Sequence, residues 1–255
     1  MRTRKIAITN QKGGSGKTTT AVNLGACLAL LKQKVLLIDA DPQAHTTIHL
    51  GVNPYEVGFS IYDVLINAQP IDRTVVVTHV ARLDLLPSHI NLSGAEIELV
   101  NAVGRESVLK DSLNGLTKEY DYLIIDCPPS LGLITLNVLN AVTEVFIPIQ
   151  TEFFALEGMS KLLGTIDIVK KRLNKKLGIT GVILTTYDAR KNICKGVSER
   201  VEDYFKELVF ATRIRENVRL AEAPSYGQPV ILYAPNSNGS KDYMELAKEV
   251  MARGG

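Results

Sequence analysis

The sequence predicts an α/β fold: a single domain with a mostly parallel twisted sheet and helices on both faces. Three observations lead there. Short β-branched runs alternate with longer helical patterns almost from end to end, as in consecutive βαβ units. The runs are nearly all apolar, as strands covered on both faces should be. Several also end in a polar residue, where ligands of open parallel sheets bind. In chain order, strands are expected at 5–9, 34–39, 122–126, 145–149 and 181–186, with Asn10, Asp39 and Asp126 emerging at their carboxyl ends. Helices are expected at 17–31, twice between 92 and 117, and at 131–142, 155–173, 194–207 and 239–252. The connection 42–91 reads as less regular, and 235–239 as a loop before the last helix. No internal repeat, low-complexity segment or Pro/Gly/Ser-rich linker interrupts the pattern, so residues 1–255 are expected to form one domain.

Composition excludes several classes. With 45% hydrophobic and 22% charged residues the chain is an ordinary globular one, not a disordered one. Cys27, Cys127 and Cys194 stand far apart with no CxxC, which suggests neither a disulfide framework nor a zinc site and favours a reducing cytoplasm. No apolar run reaches the roughly 20 residues of a membrane helix. The net charge of +2 is close to neutral, so any affinity for nucleic acid has to come from a local patch.

Chemistry concentrates in Lys12-Gly13-Gly14-Ser15-Gly16-Lys17-Thr18, which follows a strand and opens a helix. In that context glycines let backbone N–H groups turn onto phosphate oxygens and the helix N-terminus adds its dipole. Lys17 then reaches the β- and γ-phosphates, and Thr18 ligates Mg²⁺. This is a P-loop, and it predicts a nucleotide-binding set running through Thr19. Asp126 after an apolar strand has the arrangement of a carboxylate that holds Mg²⁺ through its water. Asp39 and Asp41 flank Ala40 at the end of the second expected strand and are expected to differ in role, the chain turning between them. His45 and His49 have the i, i+4 spacing of a metal pair, but no third ligand stands nearby.

The string KGGSGKTT, with VLLIDADPQ at 35–43 and YLIIDCPPS at 122–130, resembles the deviant Walker A ATPases of the ParA and MinD group. The resemblance continues through 185–190, 214–219 and 220–229, and narrows to the chromosomal ParA, or Soj, branch, which lacks an extra N-terminal DNA-binding domain. It implies an ATPase using ATP and Mg²⁺, with catalytic Lys12, Lys17 and Asp41. Lys12 reaches the partner's ATP across a homodimer, Asp41 positions the attacking water, and Asp39 lies near the Mg²⁺ shell with Thr18 and Asp126. It implies adenine contacts in the loop holding Arg215 and Asn217, where relatives read Ile-Pro-Arg-Asn and this chain reads Ile-Arg-Glu-Asn. Arg190 and Arg219 correspond to a surface that binds double-stranded DNA without sequence preference, and the cluster from Lys170 to Lys176 is a further candidate. A ParB-like protein is the implied partner that stimulates hydrolysis, and the setting is the nucleoid. Positioning of another cargo uses the same residues. A MinD-like membrane switch needs an amphipathic tail, whereas Tyr243, Leu246, Ala247 and Val250 form a single stripe suited to core packing, so no membrane is expected.

Overall fold

Successive side chains of a strand point to opposite faces, so a strand apolar at every position must be covered on both sides. The computed structural model describes residues 3–153, 155 and 158–253. Its strands are β1 (Arg4–Ile8), β2 (Val35–Asp39), β3 (Val76–Val77), β4 (Leu83–Leu86), β5 (Tyr122–Asp126), β6 (Glu144–Gln150) and β7 (Gly178–Thr185). They form a seven-stranded sheet in the order β3-β4-β2-β5-β1-β6-β7, parallel except for β3 against β4. The helices are α1 (Lys17–Leu30), α2 (His45–His49), α3 (Ile61–Ile66), α4 (Ile71–Thr74), α5 (Leu92–Leu99), α6 (Val108–Asn114), α7 (Leu133–Ala141), α8 (Met159–Arg172), α9 (Asn192–Phe205), α10 (Val218–Glu222), α11 (Val230–Tyr233) and α12 (Asn238–Ala252).

Two buried clusters follow from the alternation. Leu36 and Ile38 of β2 join Leu123 and Ile125 of β5 under α3, α5, α6 and α7. Val35 and Leu37 join Tyr122, Ile124, Ile6 and Ile8 under α1 and α12. Each of these aliphatic side chains contributes roughly 1.5–3 kcal/mol on burial. Tyr243, Leu246, Ala247 and Val250 of α12 lie in the second cluster, as expected for core packing, and no described helix is long and apolar enough to cross a membrane. Arg4 closes the outer end of the sheet: its guanidinium is bidentate on Glu144, at 2.8 and 2.7 Å, and also donates to the Val250 carbonyl of α12.

The expected strands and long helices are all present, with ends shifted by a few residues; 156–157 of the expected helix 155–173 lie outside the described residues. The connection 42–91 is more ordered than its sequence suggests, holding α2, α3, α4, β3 and β4. β4 escapes a hydrophobic reading because Asp84 interrupts it. That carboxylate is buried on a strand paired on both sides, and it accepts from the Tyr120 hydroxyl at 2.6 Å and from the Lys118 ammonium.

The site is positioned by topology. β1 lies between β5 and β6, and the chain passes through α1 to β2 on one side and from β5 to β6 on the other. Ile8 and Asp39 both pair in register with Asp126, which brings the carboxyl ends of β1, β2 and β5 together.

Candidate active site

The chain leaves β1 through Thr9 and Asn10. Asn10 Nδ2 donates to the Pro148 carbonyl at 2.7 Å and its Oδ1 accepts the Lys12 N–H at 3.0 Å, which fixes the direction in which the loop sets out. Gly14 at φ +73° and Gly16 at φ +89° carry it through left-handed conformations that a side chain would strain. Gly16 gives α1 no side-chain cap, so the first amides of the helix are available to an anion. Thr185 Oγ1 supports the turn from behind by donating to the Ser15 carbonyl at 3.0 Å. Lys17 is only 7% exposed, and its ammonium sits 3.4 Å from the Lys12 carbonyl. Burial lowers its pKa from the usual lysine value, with Asp126, Cys127 and Asp41 opposing.

The carboxylates differ in their hydrogen-bond partners. Asp126 is fully buried, and its Oδ2 accepts from Thr18 Oγ1 and Thr46 Oγ1, each at 2.7 Å. Burial raises its pKa to about 6 against those two hydrogen bonds. Its Oδ1 is buried without a hydrogen-bond partner, as is Ser15 Oγ in the loop. Asp39 is buried beside it, but both oxygens are taken: Oδ2 accepts from Thr47 N at 2.8 Å and Thr47 Oγ1 at 2.7 Å, and Oδ1 from Asp41 N at 3.2 Å. Burial and then the Asp126 charge push its pKa to about 8. Asp41 stands where the chain has turned, its Oδ1 accepting the Gln43 N–H at 3.0 Å. The open oxygen of Asp126 beside the Thr18 hydroxyl fits Mg²⁺, a hard cation that takes oxygen ligands and keeps most of its waters. Thr46 and Thr47, which the sequence did not single out, hold the two buried carboxylates in place; a threonine in an irregular stretch carries no signature of that.

Beside the loop lies a pocket of about 440 Å³, lined by Gly14, Gly16, Thr19, Thr185, Ile214 and Tyr243 among others. Arg215 and Asn217 both border it, though their side chains are already engaged. The Arg215 guanidinium binds Asp242, and Asn217 Oδ1 caps α10 by accepting Arg219 N at 2.9 Å, which leaves the Asn217 amide group for a ligand. Lys12 points out of its own cradle, its ammonium 2.8 Å from Glu152 Oε2 on the rim. Arg190, with a side chain 90% exposed, is paired with Asp188 at 2.8 Å, and Arg219 with Glu222 at 2.7 Å. His45 is exposed while His49 is buried, and no cluster of metal-ligating side chains is found among the described residues. All three cysteines are buried and free.

A protein-family model described as "AAA domain" matches residues 3–179. The Bacillus subtilis protein named Sporulation initiation inhibitor protein Soj is 53% identical over 249 residues, covering 98% of each chain. The chain belongs to the ParA/Soj family of P-loop ATPases. A second ParA/Soj relative, Chromosome partitioning protein ParA of Myxococcus xanthus, is 49% identical over 250 residues, 98% of this chain and 88% of that one. Among solved structures, cobyrinic acid a,c-diamide synthase of Mycobacterium smegmatis with bound ADP and magnesium superposes with a TM-score of 0.86 at 36% identity, covering 98% of this chain and 94% of that one. As a ParA/Soj chain it is an ATPase, and the glycine-rich loop with the Asp126 cluster is the part of the molecule whose geometry suits that activity.

Proposed function

We propose that the chain is an ATP-driven switch that dimerises on ATP, holds duplex DNA through Arg190 and Arg219, and serves chromosome or plasmid partition together with a ParB-like partner. The position of Lys12 carries this reading. Lys17 turns inward to the phosphate cradle, whereas the Lys12 ammonium stands at the rim on Glu152, from which it can be handed to a nucleotide in a second subunit. An extra cation there stabilises charge on the bridging and leaving oxygens.

In the proposed cycle the amides from Gly13 to Thr19 and the Lys17 ammonium hold the triphosphate. Thr18 and Asp126 would hold Mg²⁺, which when bound would supply positive charge against that of the triphosphate. Asp39 keeps the 41–47 turn in place, and Asp41 orients the attacking water and takes its proton. The arrangement is supported by the orphaned Asp126 oxygen and by the partition role in the name of the Myxococcus relative.

The test is retention of the protein on duplex DNA with Mg-ATP across a salt series. Phosphate contacts release counterions, so affinity should fall steeply with salt and not depend on sequence. In the double variant Arg190→Ala, Arg219→Ala the slope of log affinity against log salt should become shallower by about one unit for each phosphate no longer neutralised. An ATP-bound dimer that retains no DNA, or a double variant with unchanged affinity and slope, would overturn the DNA surface.

A further inference from the structure

The far end of the 440 Å³ pocket is walled by Ile214, Val218, Leu220 and Ala221, and this wall rests on one face of α12. Gly239, Asp242 and Tyr243 stand at i, i+3 and i+4, so they project on the same side of the helix. A Cβ on Gly239 would lie 2.8 Å from Leu220 Cγ, which means Leu220 packs on bare helix backbone. Asp242, 7% exposed, takes the Arg215 backbone N–H at 2.9 Å, Arg215 Nε at 3.1 and 3.0 Å, and Nη2 at 2.6 Å. The Tyr243 hydroxyl lies 3.2 Å from Thr20 Oγ1 on α1, just beyond the glycine-rich loop.

We propose that Asp242 is a positioning residue for the base and ribose of the nucleotide: it clamps the 214–221 wall to α12 and sets how tightly that end is held, without acting on the phosphates. The proposal rests on reading this pocket as the site that continues from the phosphate cradle. A loop that must be ordered on binding subtracts its ordering entropy from affinity, and a bidentate carboxylate clamp removes that cost beforehand. Arg215 is half-exposed, so when the carboxylate is lost its guanidinium is taken up by water. The wall is then released while the core beneath stays intact.

The experiment compares the affinity of Mg-ATP with that of Mg-tripolyphosphate, which has the phosphates but no base or ribose, by competition against a fluorescent ADP. The proteins are the unmodified chain, Asp242→Asn, Asp242→Glu and Gly239→Ala. Asp242→Asn should weaken ATP by about tenfold, the size of one charge-assisted hydrogen bond, and leave tripolyphosphate within about twofold. KM for ATP should rise by a larger factor than kcat falls, and Asp242→Glu should recover part of the loss by restoring a carboxylate. Gly239→Ala should give the same selective weakening, because the new methyl drives Leu220 into the pocket while favouring the helix. Equal weakening of ATP and tripolyphosphate, or no change in either, would overturn the proposal. If tripolyphosphate fails to displace nucleotide from the unmodified chain, the phosphate cradle itself is misassigned and the proposal falls with it.

Discussion

Burial separates the two lysines of the glycine-rich loop and decides what each can do. Lys17, desolvated and facing Asp126 and Asp41, is held where it gains most from a triphosphate. Lys17→Ala should therefore lose ATP hydrolysis by at least about a hundredfold and weaken ATP binding, as measured by phosphate release and equilibrium dialysis; near-parental turnover would remove the assignment. Asp41→Ala should bind ATP normally and hydrolyse it far more slowly, so that chromatography with ATP shows a long-lived dimer. His49 makes a separate, pH-dependent prediction. It is 1% exposed, and burial lowers its pKa to about 4 from 6.5, with the Gln228 backbone acting the other way. Above pH 6.5 the ring is neutral whether the chain is folded or not; as pH falls toward 4 only the unfolded chain takes up the proton, so stability is lost across that window. The loss amounts to at most about 3 kcal/mol. His49→Gln should flatten the decline in urea midpoint between pH 6.5 and 4, and an unchanged slope would exclude His49 as its source. That Lys17, Thr18 and Asp126 would come together at the strand ends was legible in the sequence, because their spacing to a strand is local. The contacts of Thr46, Thr47 and Asp242 were not, because each hydrogen-bonds to a partner 8 to 80 residues away that only the fold brings near.

Elements were legible where their pattern was unbroken. The long helices and strands β1, β2, β5, β6 and β7 repeat a single period, whereas β4 carries a buried aspartate and the short helices between 45 and 74 offer too few turns for a period to emerge. Glycines inside elements show a further difference that sequence alone conceals. Gly181 in β7 leaves no room for a Cβ, which would sit 2.3 Å from Phe210 and 2.8 Å from Phe146, a pair in edge-to-face contact. Gly164 on the exposed side of α8 has nothing within 4 Å. Gly181→Ala should destabilise by about 1–3 kcal/mol through overpacking. Gly164→Ala should instead stabilise by roughly 0.5–1 kcal/mol, from helix propensity alone. Urea denaturation of the two variants gives opposite signs if β7 is packed as described, and the same sign if it is not.

Across the whole molecule, the parallel sheet and its helix-covered faces were predictable from alternating periods, but the strand order was not, since no local pattern says that β5 returns between β2 and β1. That order creates the site by setting Asp39 and Asp126 side by side. The rim pairing of Lys12 with Glu152 bears on assembly: Lys12→Ala should bind ATP in one subunit yet fail to form the ATP-dependent dimer, and light scattering showing a dimer of normal mass would count against transfer of this lysine across an interface. The Arg4 clasp has a consequence for how the chain could be rearranged. Because Arg4 hydrogen-bonds to Val250, the first strand and the last helix meet at one corner, and a short flexible tether could join them. New ends could then be opened in the exposed stretch around Gly104, between α5 and α6, without cutting any strand pairing. A circularly permuted chain of this kind keeps the glycine-rich loop, Asp126 and α12 within one continuous segment, and would place a fused reporter on the face where Val103 is fully exposed.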